Sequence, residues 1–356
     1  MSDTLRSYGW SEDFEARLAE LGRPDAAPGR VVETQRGRMT LQTRSGPRDA
    51  SPAGRLLRDG GSAPRPVVGD WVAFTDASDD GPVVVEAVLE RRNHLSRKAS
   101  GKRSEEQFVA ANVDLMLVVM GLDGDFDPRR LERFLTLAEA SRVEAAVVLN
   151  KADICADHDA RLAEVRSLTA APVVIVSALE GDLSPVELLL APRRTAVLVG
   201  SSGAGKSTLI NRLLGESALR TASVREHDSR GRHTTTHREL FLLPGGGLII
   251  DNPGVREVQL WAEGDTALDS VFDDIEVLAA RCRFSDCSHR NEPGCAVRAA
   301  IDGGELDEAR LENLRKLEIE TEALERRKDE RARREHDRRL GKLYRSVQRA
   351  KRARWD

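Results

Sequence analysis

The segment Gly200-Ser201-Ser202-Gly203-Ala204-Gly205-Lys206-Ser207 constrains this 356-residue chain more than any other stretch. It fits G-x-x-x-x-G-K-[ST] at every position, follows the apolar run Ala196–Val199, and precedes a helical pattern from Thr208 to Leu214. Its glycines let the backbone turn tightly enough for successive N–H groups to converge on phosphate oxygens at a helix N-terminus. Lys206 would reach the β- and γ-phosphates, and the Ser207 hydroxyl would ligate Mg²⁺. Gly200 to Thr208 therefore reads as the phosphate-binding segment of a nucleoside triphosphate site.

A strand, phosphate loop and helix in that order require an α/β sheet, and the flanking sequence supplies one. Apolar strand candidates at Val113–Met120, Ala145–Leu149, Val173–Val176, Thr195–Val199, Leu240–Leu243 and Leu248–Ile250 alternate with helix candidates. The helices are Pro128–Arg142, Asp157–Ala170, Pro185–Leu190 and Lys206–Leu214. Buried-strand runs alternating with amphipathic helices predict a mainly parallel sheet covered on both faces.

Asn150-Lys151-Ala152-Asp153 stands at the end of the strand Ala145–Leu149. This N-K-x-D tetrapeptide suits guanine. The Asp153 carboxylate can accept from both N1–H and the exocyclic amine, a donor pair that adenine lacks. Asn150 can bond the base and tie neighbouring loops together, while the Lys151 stem can lie over the purine. Ser177-Ala178, after Val173–Val176, sits where a backbone amide could meet guanine O6, although that dipeptide alone decides nothing.

Asp251-Asn252-Pro253-Gly254 follows Leu248–Ile250. An acidic residue there can hold Mg²⁺ through water, and the Gly254 N–H can sense the γ-phosphate. Between the two motifs, a hydroxyl of Thr234-Thr235-Thr236 should complete the Mg²⁺ shell. Thr235 is favoured, with Thr234 next. In ordinary GTPases the phosphate loop comes first and N-K-x-D late; here N-K-x-D and Ser-Ala precede it. The order is that of a circular permutation, which keeps the sheet and moves the termini. The segment after Gly254 is then joined directly to the C-terminal region.

Outside this core the composition changes. Phe14, Leu18 and Leu21 give residues 1–29 a short helical pattern, too small to fold alone. From Arg30 to about Arg92, short β-like runs (Val31-Val32, Met39–Leu41, Trp71–Phe74, Val83–Val85) suggest a small barrel, OB or SH3-like. Ser45–Pro66 reads as a long exposed loop. Residues 91–106 carry Arg91, Arg92, Arg97, Lys98, Lys102 and Arg103, and read as a basic hinge. Cys282-x4-Cys287-x-His289-x5-Cys295 supplies three thiolates and one imidazole, a closed four-ligand set that describes a structural Zn²⁺ site. Such clustered cysteines suit a reducing compartment, so a cytoplasmic protein is expected. Cys155 stands apart as an ordinary thiol. Leu115–Leu122, the longest apolar stretch, falls far short of the ~18–20 residues of a membrane span. Met1–Trp10 is polar with no apolar core following, so neither a signal peptide nor a membrane partner is expected.

Together these features resemble the RsgA (YjeQ-type) family of bacterial GTPases that depend on the small ribosomal subunit. The resemblance runs from about Arg30 to Gly303. It rests on Gly69-Asp70-Trp71-Val72, Leu95-Ser96-Arg97-Lys98, the permuted motif order, Gly231-Arg232-His233-Thr234-Thr235-Thr236 and the cysteine cluster. It implies a multidomain protein: an N-terminal OB-fold β-barrel, a central circularly permuted α/β P-loop GTPase domain and a C-terminal α-helical zinc-binding domain. The expected division is a helical extension over 1–29, the barrel over 30–92, a basic linker over 93–111, the GTPase domain over 112–258 and the zinc-binding domain with a basic C-terminal helix over 259–356. Asn252 departs from the family, where Ser or Thr is commoner.

In Ras-like enzymes a Gln after the switch glycine orients the attacking water; here that position is Val255, which cannot bond water. His233, beside the threonines, is the nearest replacement, and the resemblance points to it as well. The implied activity is GTP hydrolysis, stimulated by the small (30S) subunit, that drives release during late subunit maturation. The partners would be GTP/GDP and that subunit with its rRNA, and a monomer is expected. Two other readings are a metal-handling GTPase delivering zinc to a client and a nucleotide-gated RNA-binding factor with little turnover. A formal net charge of −4 does not exclude RNA. Residues 321–356 hold fourteen Lys or Arg against seven Asp or Glu, which leaves the preceding 320 residues at −11. An acidic body thus carries a basic tail.

Overall fold

Alternation along Trp71-Val72-Ala73-Phe74 organises the first part of the chain. The structure, a computed structural model, describes residues 3–35, 38–56, 65–75, 82–98, 106–215, 238–251, 266–323 and 326. Helices α1 (Asp3–Ser7) and α2 (Glu12–Glu20) lead into a barrel of β1 (Ala27–Gln35), β2 (Arg38–Thr43), β3 (Gly46–Pro52), β4 (Trp71–Thr75) and β5 (Val83–Val88). Its strands run in the order β1-β2-β3-β5-β4, and β4 pairs back to β1 to close it. Val72 and Phe74 point inward to Val31, Leu41, Val83 and Val85, while Trp71 and Ala73 point outward to Leu5, Trp10 and Phe14. Period-two alternation does both tasks. The N-terminal helices are thus a cover for one outer face of the barrel, with the Trp10 and Trp71 rings edge to face at 4.7 Å.

Two expectations for this region change. Part of the supposed loop Ser45–Pro66 is β3, held by β2 on one side and by β5, in parallel, on the other. Its Gly and Pro content hid a strand whose Ala50 side chain enters the barrel core. The supposed linker contains a paired ribbon, β6 (His94–Lys98) against β7 (Glu106–Ala111), with Leu95, Val109, Ala110 and Ala111 buried. The many basic residues masked its apolar side.

The α/β region consists of β8 (Leu115–Gly121), α3 (Pro128–Ala140), β9 (Glu144–Asn150), α4 (His158–Leu168), β10 (Val173–Ile175), α5 (Ser184–Leu189), β11 (Thr195–Val199), α6 (Lys206–Leu214), β12 (Arg238–Leu242) and β13 (Leu248–Asp251). Strand order is β10-β9-β8-β11-β13-β12, parallel except for β12. All seven residues of β8 are buried, as a central parallel strand requires. Asp127 caps α3 by accepting from the Arg129 and Arg130 N–H groups (3.0 and 3.2 Å), with Pro128 in the first turn.

Barrel and α/β sheet are continuous, because the end of β1 pairs with β12 through Glu33–Glu239 and Thr34–Arg238. Buried Arg30 stitches the same junction. Its guanidinium donates to Tyr8 O, to Thr195 Oγ1 at 2.9 Å, and more distantly to the Gly69 and Asn112 carbonyls. Burial pushes it down to about 10, which leaves it protonated at neutral pH.

A second unit comprises residues 99–105 and 260–356. Its described part holds α7 (Thr266–Val271), α8 (Asp273–Ala279), α9 (Ala296–Asp302) and α10 (308–323). Phe272 is fully buried and lies 4.8 Å from the Arg310 guanidinium, which also grips Asp274 through two 2.8 Å contacts. Among the described residues no helix is long and apolar enough to cross a membrane.

Candidate functional site

In an open parallel sheet, ligands bind beyond the carboxyl ends of the strands. Asn150 ends β9, Ser177 follows β10, Gly200 follows β11 and Asp251 ends β13, so four separated motifs share one edge.

Asn150 joins three of them. It is buried, and its Nδ2 donates to Ala204 O in the phosphate loop at 2.9 Å. Its Oδ1 accepts the Ala178 N–H at 2.8 Å. The sequence pointed to the loop-tying role and, separately, to a backbone amide in Ser177-Ala178. In the structure the Ala178 amide is bonded to Asn150, and Ser177 and Ala178 are both buried, so the pair props the loop beneath its rim. Lys151 adopts a left-handed φ of 66° and pairs with Asp123 at 2.5 Å. Ala152 and Asp153 lie in a short 3₁₀ turn that leaves the Asp153 side chain exposed.

The phosphate loop depends on its glycines. A Cβ at Gly200 would stand 2.1 Å from Val119 O, and one at Gly205 would stand 2.1 Å from Asn150 Nδ2. Both residues also have positive φ, which side chains disfavour. Ser202, Gly203, Ser207 and Thr208 are exposed, and Ala204 is buried beneath them. Lys206, the first residue of α6, donates to Gly200 O at 2.8 Å and to Ser201 O. Thr234, Thr235, Thr236, His233, Asn252, Gly254 and Val255 lie outside the described residues, as does nearly all of the basic tail.

Among the described residues, the side chains of Asp123, Asp125 and Arg212 also reach these loops and had no motif to announce them. Asp123 and Asp125, after β8, contact Lys151 and Ser201. Arg212 of α6 reaches the Ser177 and Ala178 carbonyls, both at 3.4 Å. The available signal was positional: an acidic loop following an apolar strand opens onto the same carboxyl edge.

In the second unit, Cys282, Cys287, His289 and Cys295 bring four ligand atoms within 4.8 Å of one another. Cys282 Sγ lies 3.9 Å from Cys295 Sγ, and His289 Nδ1 lies 3.6 and 3.5 Å from those two sulfurs. Tetrahedral Zn²⁺ with ordinary bond lengths would need edges of about 3.8 Å (S–S) and about 3.6 Å (S–N). The cluster therefore fits zinc. Backbone N–H groups of Ala296 and Arg298 donate to the Cys282 and Cys295 sulfurs. Burial, helped by nearby Arg315, holds His289 below its usual range, which keeps the imidazole in its neutral, ligating form. Desolvation and the neighbouring sulfurs push the Cys287 thiol up to about 11, a crowding that a divalent cation relieves.

The ligand loop is braced from both sides. Glu292 accepts from Ser288 Oγ and from the Ser288, Arg290 and Asn291 N–H groups, with the Ser288 hydroxyl the leading cause of a carboxyl held down to about 2. Arg315 of α10 donates to the Ser288 and His289 carbonyls at 2.9 and 2.8 Å. Such outer contacts orient metal ligands.

Known proteins match this arrangement. The family model described as RsgA GTPase matches residues 88–261. A protein of Opitutus terrae named small ribosomal subunit biogenesis GTPase RsgA is 45% identical, with 92% of each chain covered. A Streptomyces avermitilis protein of the same name is 43% identical over 99% of this chain and 96% of its own. Among solved structures, YjeQ from Thermotoga maritima aligns with a TM-score of 0.61 and 27% identity, covering 83% of this chain and 98% of YjeQ. YloQ, described as a circularly permuted GTPase, shares the fold at a TM-score of 0.58 and 24% identity, over 84% of this chain and 96% of YloQ.

Proposed function

The chain belongs to the RsgA GTPase family, and on that footing we propose that it binds the small ribosomal subunit with GTP bound and leaves after hydrolysis, during late maturation of that subunit. GTP hydrolysis is the activity of the family. The name that the relatives carry supports the ribosomal step. The observation that carries the nucleotide reading is Asn150, one buried amide that holds the guanine motif, the Ser177-Ala178 loop and the phosphate loop together.

In this reading Asp153 accepts both guanine donors and the Lys151 stem covers the purine. Amides from Gly200 to Thr208 cradle the phosphates, Lys206 neutralises the β- and γ-groups, and Gly254 senses the γ-phosphate. Ser207 and Thr235 would hold Mg²⁺, with Asp251 assisting through water, and the ion would supply positive charge to offset that on the phosphate oxygens. Water attacks the γ-phosphorus, the bond to the β,γ-bridging oxygen breaks, and GDP and inorganic phosphate leave. His233 orients that water in place of the missing Gln. Cys282, Cys287, His289 and Cys295 would hold zinc as a structural ion, since four protein ligands would leave no open position for chemistry or easy delivery. The barrel, the basic segment 93–111 and the tail within 259–356 are the rRNA-facing parts, with 112–258 as the GTPase domain and 1–29 as a cover on the barrel. The protein works in the cytoplasm as a monomer.

The decisive measurement is GTP turnover with and without purified small subunits, together with co-sedimentation. Stimulation and subunit binding are expected, and the lack of both would defeat the ribosomal reading. His233→Ala should lower subunit-stimulated turnover about 100-fold while nucleotide affinity is kept; an equal loss of affinity would make the histidine structural. Asp153→Asn presents an amide donor to the guanine donors. GTP affinity should fall about 100-fold while affinity for xanthosine triphosphate, which offers a carbonyl there, should rise. Unchanged preference would remove Asp153 from the base site.

A further inference from the structure

The loop between β8 and α3, Leu122-Asp123-Gly124-Asp125-Phe126-Asp127, belongs to none of the nucleotide motifs, yet it touches two of them. Asp123 Oδ2 pairs with Lys151 Nζ of the guanine motif at 2.5 Å. That contact, ahead of a bond from the Asp125 N–H, holds the Asp123 carboxyl below its usual range. Asp125 Oδ2 accepts from the Ser201 hydroxyl of the phosphate loop, while its Oδ1 takes a 2.6 Å contact from Arg130 of α3.

The D-x-D-x-D spacing would suit a cation, but each carboxylate has a protein donor. Asp123 has Lys151, Asp125 has Ser201 and Arg130, and Asp127 caps α3 and pairs with Arg130 at 3.2 Å. The loop is also anchored on its far side. Phe126 lies 4.5 Å from the Arg161 guanidinium of α4, and a Cβ at Gly121 would stand 2.6 Å from Asp123 Oδ1, so any side chain at the strand end would displace the Asp123 carboxylate.

The consequence concerns two lysines. Lys206 Nζ donates to the carbonyls of Gly200 and Ser201, so whatever fixes Ser201 also fixes the carbonyl pair that aims Lys206. Lys151 is aimed directly. We propose that this loop is a positioning element of the nucleotide site: Asp123 orients Lys151 across the purine face, and Asp125, acting through the Ser201 hydroxyl, orients the phosphate loop and Lys206. The assignment rests on the guanine-nucleotide reading above. Both carboxylates act without touching substrate. A hydroxyl held by a charged acceptor is worth more than a neutral bond, and a small misplacement of a charged group costs binding steeply.

The test uses the full chain and a fluorescent GDP analogue, with dissociation constants and rates measured beside KM and kcat for GTP. Asp125→Ala and Ser201→Ala should each weaken GDP and GTP by the same factor, about tenfold, chiefly in KM. The double variant should bind no more weakly than Asp125→Ala alone, because once the carboxylate is gone the Ser201 hydroxyl has no bond to lose. Asp125→Asn keeps an acceptor for Ser201 and should recover most of the affinity. Asp123→Ala should give a comparable loss without altering the Ser201–Asp125 coupling. Thermal melts separate positioning from unfolding, and Ser201→Ala, a lost hydroxyl on a loop, serves if Asp125→Ala folds poorly. Single variants within twofold of the parent, multiplying losses in the double variant, or Asp125→Asn as weak as Asp125→Ala would overturn the proposal. A parent chain that bound no guanine nucleotide would overturn the GTPase reading, and this proposal with it.

Discussion

Removing zinc is expected to unfold the second unit outright. Its described core is small: Ala267, Leu268, Phe272, Ile275, Val297, Ala300, Leu306, Leu311, Leu314 and Leu317, with Cys295 among them. The loop from Cys282 to Cys295 has no strand and no helix of its own, and its shape depends on four ligands, Glu292 and Arg315. Structural zinc contributes about 10–16 kcal/mol in small metal domains at pH 7, more than a core of this size supplies alone. Without the metal, three thiols and an imidazole within 4.8 Å of one another lose their common partner. Chelation, or Cys295→Ser, should therefore abolish the helical circular dichroism of this unit and release about one zinc per chain, and added zinc should restore the signal after chelation. GDP affinity should be retained, because Asn150, Lys151 and Gly200–Ser207 lie in the other unit. Full chelation with an unchanged melting profile would rule out a structural metal.

The second large effect is expected at Lys206. Its ammonium stands across the phosphate loop on the carbonyls of Gly200 and Ser201, at the start of α6, where phosphate charge is to be met. Charge on the transferring phosphoryl group is stabilised by fixed cations, and removing one fixed donor costs roughly 10²–10³ in rate elsewhere. Lys206→Ala should lower both basal and subunit-stimulated turnover at least about 100-fold and weaken GTP more than GDP, since the γ-phosphate adds to the charge it meets. Lys206→Arg should not restore the rate, because a planar fork cannot occupy the place of a point charge. Stimulated turnover within tenfold of the parent would show that the lysine does not face the phosphates.

These expectations differ in how far the sequence alone supports them. Lys206 at the start of its helix and the cluster of Cys282, Cys287, His289 and Cys295 were legible because they are local: a few residues at fixed spacing turn the backbone or bring their side chains together. The permuted GTPase order was legible for the same reason, since each motif sits at the end of its own apolar strand. β3 and the β6–β7 ribbon were not. Gly, Pro and Arg dominate their composition, while their strand character comes from partners elsewhere, such as Val83 beside Ala50 and Ala110 beside Leu95.

By itself the sequence determined the sheet type, the nucleotide motifs, their permuted order and the Cys3His set that the fold gathers into one cluster. Tertiary structure alone decided which polar groups serve them. Arg30 meets Thr195 across 165 positions, Asp125 meets Ser201 across 76, and Asn150 meets Ala204 across 54. The chain carries 59 acidic residues, and nothing in local spacing marks Asp123 or Asp125 among them. Backbone geometry is set by neighbours in sequence and can be read from them. A side-chain bond is set by neighbours in space, and those exist only once the sheet has brought its carboxyl ends to one edge.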